Sequence, residues 1–222
     1  MCFSAEADLV AGVLVTGIGI DAIQRVKSRE ELPLAALPLL FGIHTLIEAL
    51  VWWGLEGKVP ASIGTTATWI YLAVAFVLPI LVPLAVLGVE PLRSRRMLMW
   101  VLVAVGFVVS LILVVAVVAG PIDTVIAGHH IEYTLDIWGG VWIAAFYAVA
   151  TCGALLLASN QWMRIFGVLN LAAVVLLVWL TVGGLTSLWC VWAAITSVAI
   201  DLYLRDVQPH PASSPLDAWR TG

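Results

Sequence analysis

The sequence predicts an all-α fold: a polytopic membrane bundle of seven transmembrane helices, with the N-terminus outside and the C-terminus in the cytoplasm. Three observations carry that prediction. The 222 residues are 63% hydrophobic and only 11% charged, where a soluble domain carries about 25% charged residues. Seven apolar stretches each approach the ~20 residues needed to cross a hydrocarbon core. Nine of the ten positive residues fall on one side of the resulting topology.

The predicted spans run 5–24, 33–54, 63–88, 97–119, 138–158, 163–182 and 186–204. The acidic opening, with Glu6 and Asp8, lacks the positive n-region of a signal peptide and reads as a retained first helix. Pro33 opens the second helix at a tolerated first-turn position, and Pro38 is expected to kink it. Pro79 and Pro83 share a face of the third helix and are expected to pack against a neighbour. The turn Val182-Gly183-Gly184-Leu185-Thr186-Ser187 divides the last two spans. Residues 1–207 form the transmembrane domain, and 208–222, rich in Pro, Ser and Ala, read as a disordered cytoplasmic tail.

Orientation follows from Lys and Arg placement. Arg25, Lys27 and Arg29 lie in the first connector, Arg93, Arg95 and Arg96 in the third, Arg164 in the fifth, and Arg205 and Arg220 after the seventh helix. Only Lys58 falls on the other side. The positive side is cytoplasmic, which places the protein as a multi-pass chain in a cell membrane. An even helix count would scramble this partition. The longest connector, 120–137, is then external. Its alternation of Ile131, Tyr133 and Leu135 with Glu132, Thr134 and Asp136 has the period of a strand, and it is expected to fold over the outer mouth of the bundle.

Composition excludes several functions. There is no basic stripe for nucleic acid, and three cysteines make no disulfide framework. Cys2 and Cys190 both map to the outer half, on helices one and seven, and are expected to lie close together, bonded or free. Lys27 and Lys58, the only lysines, sit in connectors, so no bundle lysine exists for a retinal Schiff base. A metal-dependent lipid hydrolase of the ceramidase type needs several intramembrane histidines, and only His44 qualifies.

Ionisable groups inside a span are costly and mark functional sites by default. His44 and Glu48, four apart, share one face of helix two. Asp8 lies about one turn into helix one, in a stripe with Ser4, Gly12 and Thr16. Helix seven carries a similar stripe of Cys190, Ala194, Ser197 and Asp201. Eight tryptophans, Trp52 and Trp189 among them, map to outer helix ends against two at inner ends, more than an interfacial belt asks for. The expectation is an outward-facing polar and aromatic pocket made by Glu48, His44, Asp8, Cys190, Trp52 and Trp189, binding a small molecule or lipid in a transporter- or receptor-like protein. Two alternatives stay open: an intramembrane enzyme using Glu48, Asp8 and His44, or an accessory subunit of a membrane complex. No metal is expected at these residues, no cofactor or catalytic residue is assigned, and His129 with His130 reads as a solvated pair. The expected partners are the lipid bilayer, the ligand, and a second copy or a larger complex.

The opening Met1-Cys2-Phe3-Ser4-Ala5, together with Leu37-Pro38-Leu39-Leu40-Phe41-Gly42-Ile43, Glu48 with Trp52, and Ser187-Leu188-Trp189-Cys190, resembles a family of uncharacterised bacterial integral membrane proteins that begin Met-Cys-Phe-Ser. The resemblance covers most of the chain. It implies a shared fold and supplies no activity. Members often carry glutamine near the position of His44, a departure that weighs against a metal role there more than at Glu48.

Overall fold

The computed structural model describes residues 4–135, 137, 139–180 and 185–206, without the side chains of 177–180, 185–191 and 206. The expectations for Cys2, Cys190, Trp189 and the tail from 208 onward therefore lie outside the described residues. The described chain forms seven helices and one hairpin: α1 (Ala5–Gln24), α2 (Leu32–Leu55), α3 (Ala61–Val89), α4 (Arg93–Ala119), β1 (Ile122–Ala127), β2 (His130–Leu135), α5 (Gly140–Leu157), α6 (Gln161–Leu180) and α7 (Leu185–Asp206). Each helix overlaps its predicted span to within a few residues at either end. Four of them, α2 to α5, are long and apolar enough to cross a membrane.

The two ends of the bundle differ. One end, the hairpin face, carries the start of α1, the α2–α3 connector and the β-hairpin; Lys58 reaches Glu6 across it at 3.5 Å. The other, the arginine face, carries Arg25, Arg95, Arg96 and Arg205. Two apolar clusters follow this division. Trp52, Tyr71, Leu72, Phe76, Leu113 and Ile131 pack toward the hairpin face. Leu37, Phe41, Leu78, Val86, Met99 and Ile200 pack toward the arginine face.

Local chemistry sets the helix geometry. The Ser4 hydroxyl accepts from the Ala7 N–H at 3.2 Å and caps α1. Helices α1 and α2 run antiparallel in close contact, Gly12 against Leu46, Thr16 against Gly42 and Gly19 against Leu39. A Cβ on Gly42 would stand 2.4 Å from the Thr16 nitrogen, so this crossing tolerates only glycine. The prolines of α3 are buried, as the packing expectation requires. Pro83 has no N–H to give the carbonyl of Pro79 one turn back. Gly106 of α4 covers that carbonyl so closely that a Cβ there would sit 1.9 Å from the oxygen. A Cα–H approach of this kind partly replaces the missing donor.

The strand period read over 131–136 falls on β2, and β1 pairs with it as an antiparallel hairpin that the alternation alone did not predict, with Ile126 opposite Ile131 and a two-residue turn at Gly128–His129. Ile131 is fully buried beneath it. The hairpin touches α2 through β1 and α7 through β2.

Candidate functional site

The predicted site residues with described side chains lie in the half of the bundle near the hairpin face. Asp8 and Glu48 have no exposed surface, and His44 and Trp52 are buried. Continuing the α1–α2 register one turn from the Gly12–Leu46 contact puts Asp8 level with residues 48–50. On that register the two carboxyls stand at similar depth. His44 Nε2 lies 3.0 Å from the carbonyl oxygen of Tyr71. A carbonyl only accepts, so Nε2 carries the hydrogen. The His44 and Tyr71 rings stack at 4.0 Å, and Tyr71 stacks in turn on Tyr133 of β2 at 4.9 Å. A column of three rings thus runs through this half from α2 through α3 to the hairpin. Sequence reading noted Tyr133 only for its strand alternation and missed Tyr71, which looks like one more apolar residue on an apolar helix.

A cavity of about 820 Å³ lies in the other half, between α2, α3, α5, α6 and α7. Its size falls in the roughly 300–1,000 Å³ range of small-molecule sites. None of Asp8, His44, Glu48 and Trp52 lines it. Leu37, Phe41, Val86, Leu155, Phe166 and Ile200 make its apolar walls. Ile165 and Leu169 on α6 and Leu202 on α7 also line it and are exposed, so the cavity is a cleft open sideways along the α6–α7 seam.

The deep end of the cleft is polar and internally satisfied. The Tyr147 hydroxyl donates to the Ala75 carbonyl at 2.8 Å, Thr151 to the Tyr147 carbonyl at 3.0 Å, and Thr196 to the Trp192 carbonyl at 2.8 Å. Asn170, in the middle of α6, accepts from the Trp192 indole and donates to Cys152 Sγ at 3.4 Å. The Trp192 ring bonds to Asn170 and stacks parallel to Phe166 at 6.2 Å. A mid-span asparagine was the one sequence signal for this cluster.

The mouth of the cleft carries Arg205, Asn160, Trp162 and Tyr203. Arg205 Nε donates to Asp201 at 2.7 Å and its terminal nitrogen to Asp21 at 2.8 Å. Asp21 also takes a two-pronged bond from Arg25 at 2.8 and 2.9 Å, and Arg25 approaches Asp201 at 3.7 Å. Two aspartates and two arginines thereby tie α1 to α7. Asp201, the last member of the helix-seven stripe, is buried in this network.

A second polar cluster braces the opposite wall. Glu90, after α3, accepts from the Ser159 N–H at 2.7 Å, from the Ser159 hydroxyl, and from the Leu92 N–H at 3.0 Å. Arg95 donates to the carbonyls of Leu157 and Ala158 at 2.8 and 2.9 Å, closing the end of α5. Burial pushes the Glu90 carboxyl up, but the Ser159 and Leu92 hydrogen bonds and the charge of Arg95 outweigh it and hold the group below the usual carboxylate range. Among the described residues no three His, Cys, Asp or Glu side chains converge as a metal site.

Fold and cleft define a helical membrane protein with an apolar, laterally open cavity. The chain matches a family of unknown function (DUF6629) over residues 1–214 and belongs to it. Neither the curated proteins nor the solved structures contain a match.

Proposed function

We propose that this protein is a seven-span protein of the bacterial inner membrane, N-terminus outside, that binds an amphiphile in the α6–α7 cleft and acts as a carrier or receptor for it. The observation that carries the reading is the cleft itself: about 820 Å³ of apolar space, open along a seam where lipid chains lie. On the charge partition the arginine face is cytoplasmic, so the site belongs to the inner leaflet. The ligand class agrees with the expected small-molecule or lipid binder, but its place moves from the outer half to the inner half.

Native mass spectrometry of the intact protein released from lipid nanodiscs tests the binding. Lipid adducts that persist after the detergent-like shell is stripped support the cleft; bare protein under every release condition rejects it. Orientation is tested by labelling single cysteines introduced at Ser94 and Ala127 in a cysteine-free background. Labels from opposite sides are expected, and same-side labelling would sink the topology.

A second reading is motivated by the complete burial of Asp8 and Glu48. Two carboxyls at one depth in hydrocarbon must share a proton, a partner or a cation. They suit a proton, cation or amine site, with His44 at its floor, used for transport or for intramembrane catalysis. Glu48→Gln keeps the shape and removes the charge; if ligand occupancy and function are unchanged, Glu48 is structural.

A further inference from the structure

We infer that the occupant of the cleft is an anionic amphiphile whose phosphate or carboxylate headgroup is anchored by Arg205. The inference rests on the cleft reading and adds the ligand's charge and orientation.

The two ends of the cleft make different demands. At the deep end Tyr147, Thr151, Thr196 and Asn170 all bond within the protein. A ligand polar group placed there would have to break one of these bonds. The deep end therefore receives apolar chain. At the mouth, Arg205 lies on the lining and is about half exposed. Its two bonds to aspartates use two of the five donors a guanidinium carries.

Exchange at this arginine strands no charge. If the Arg205 terminal nitrogen turns from Asp21 to a headgroup, Asp21 keeps both bonds from Arg25. Arg205 keeps its Nε bond to Asp201, which holds the guanidinium at the lining. The planar fork left over matches a phosphate or carboxylate. Asn160 opens α6 beside it, its side chain already accepting from the Trp162 N–H at 2.8 Å, and the positive end of that helix dipole faces the same mouth. The exposed Trp162 ring completes the rim at the depth where headgroups lie.

The test offers purified full-length protein an equal mixture of phosphatidylglycerol and the uncharged diacylglycerol with identical chains, and reads retained lipid by native mass spectrometry. The wild type should favour phosphatidylglycerol roughly fivefold, the discrimination expected of one charge-assisted bond at a half-exposed site. Arg205→Gln should bring the ratio to about one while leaving diacylglycerol retention unchanged. Asp21→Asn, which removes the competitor, should raise the ratio above wild type. Equal retention of both lipids by the wild type overturns the headgroup assignment and leaves the cleft standing. Retention of neither overturns the cleft reading as well. If Arg205→Gln fails to fold, Asp21→Asn decides, and an unchanged ratio there overturns the assignment. Displacement of phosphatidylglycerol by an equal concentration of inorganic phosphate would reject an amphiphile as the source of the anion.

Discussion

The two halves of this bundle are built from the same helices and solve opposite problems. Toward the hairpin face, α2 and α3 are sealed by stacked rings, and the buried carboxyls Asp8 and Glu48 sit among packed side chains. Toward the arginine face, α6 and α7 part and leave an apolar space rimmed by ion pairs. The difference lies in what closes each end. Aromatic stacking and glycine-mediated contact close the first. Side-chain hydrogen bonds at the connectors hold the second, and those bonds frame a gap without filling it. In a bilayer, packing stabilises where shapes interlock, so the sealed half is expected to carry the fold's stability and the open half its ligand.

The largest expected effect tests the sealed half. Tyr71→Ala removes a fully buried ring with stacking partners on both sides. It should cost about 3–5 kcal/mol and loosen the hairpin, since Tyr133 loses the surface on which it rests. Thermal unfolding in detergent should show a large drop in midpoint, and proteolysis should cut the 120–137 hairpin faster. A variant that melts within a degree of wild type would mean that the ring column does not hold this half together.

A smaller effect separates the halves by pH. Glu90 is held below the usual carboxylate range by hydrogen bonds present only in the folded state. A carboxylate with a depressed folded pKa stabilises the fold above its unfolded value and loses that contribution as pH falls through the folded one. Acidification below about pH 4.5, the ordinary value for the group, should therefore lower the wild-type melting temperature toward that of Glu90→Gln. The two proteins should differ most at neutral pH and converge in acid. Comparison with Glu90→Gln isolates this brace from the titratable His44, Asp8 and Glu48 of the sealed half, which both proteins share. Parallel pH profiles for wild type and Glu90→Gln would remove the pH-dependent brace from the open half.

The same contrast explains what was legible in the sequence. Helix positions follow from apolar length, and strand β2 follows from the alternation of Ile131, Tyr133 and Leu135, because each signal is local and periodic; its pairing with β1 does not. The shared depth of Asp8 and Glu48 follows from rise per residue. The cleft was not legible, because Leu37, Phe41, Val86 and Ile200 read the same whether they face lipid, a neighbour or an empty space. Nor was the Asp21–Arg205 pair, whose members lie 184 positions apart. Both gaps have one cause: the placement of α7 against α1 and α6 is tertiary and leaves no periodic trace in any of the three helices.

The smallest expected effect on stability is the sharpest test of the open half. Ala199 lines the cleft on α7 and is partly exposed. A phenylalanine there projects into space that no side chain occupies, so it meets none of the overpacking penalty that a filled core imposes. Ala199→Phe should change stability by no more than about 0.5 kcal/mol, the range of substitutions away from packed or charged features. The same ring should take up a substantial part of the cleft and lower lipid retention severalfold in native mass spectrometry. An equivalent insertion into the sealed half, such as Gly54→Ala against the Gly64 backbone, should do the reverse by destabilising the fold at the α2–α3 crossing. If Ala199→Phe destabilises as Gly54→Ala does, the space between α6 and α7 closes in the membrane and the halves are not different after all. If it is silent in both stability and lipid retention, the space is real but the ligand lies elsewhere, and the buried carboxyls of the sealed half become the site to pursue.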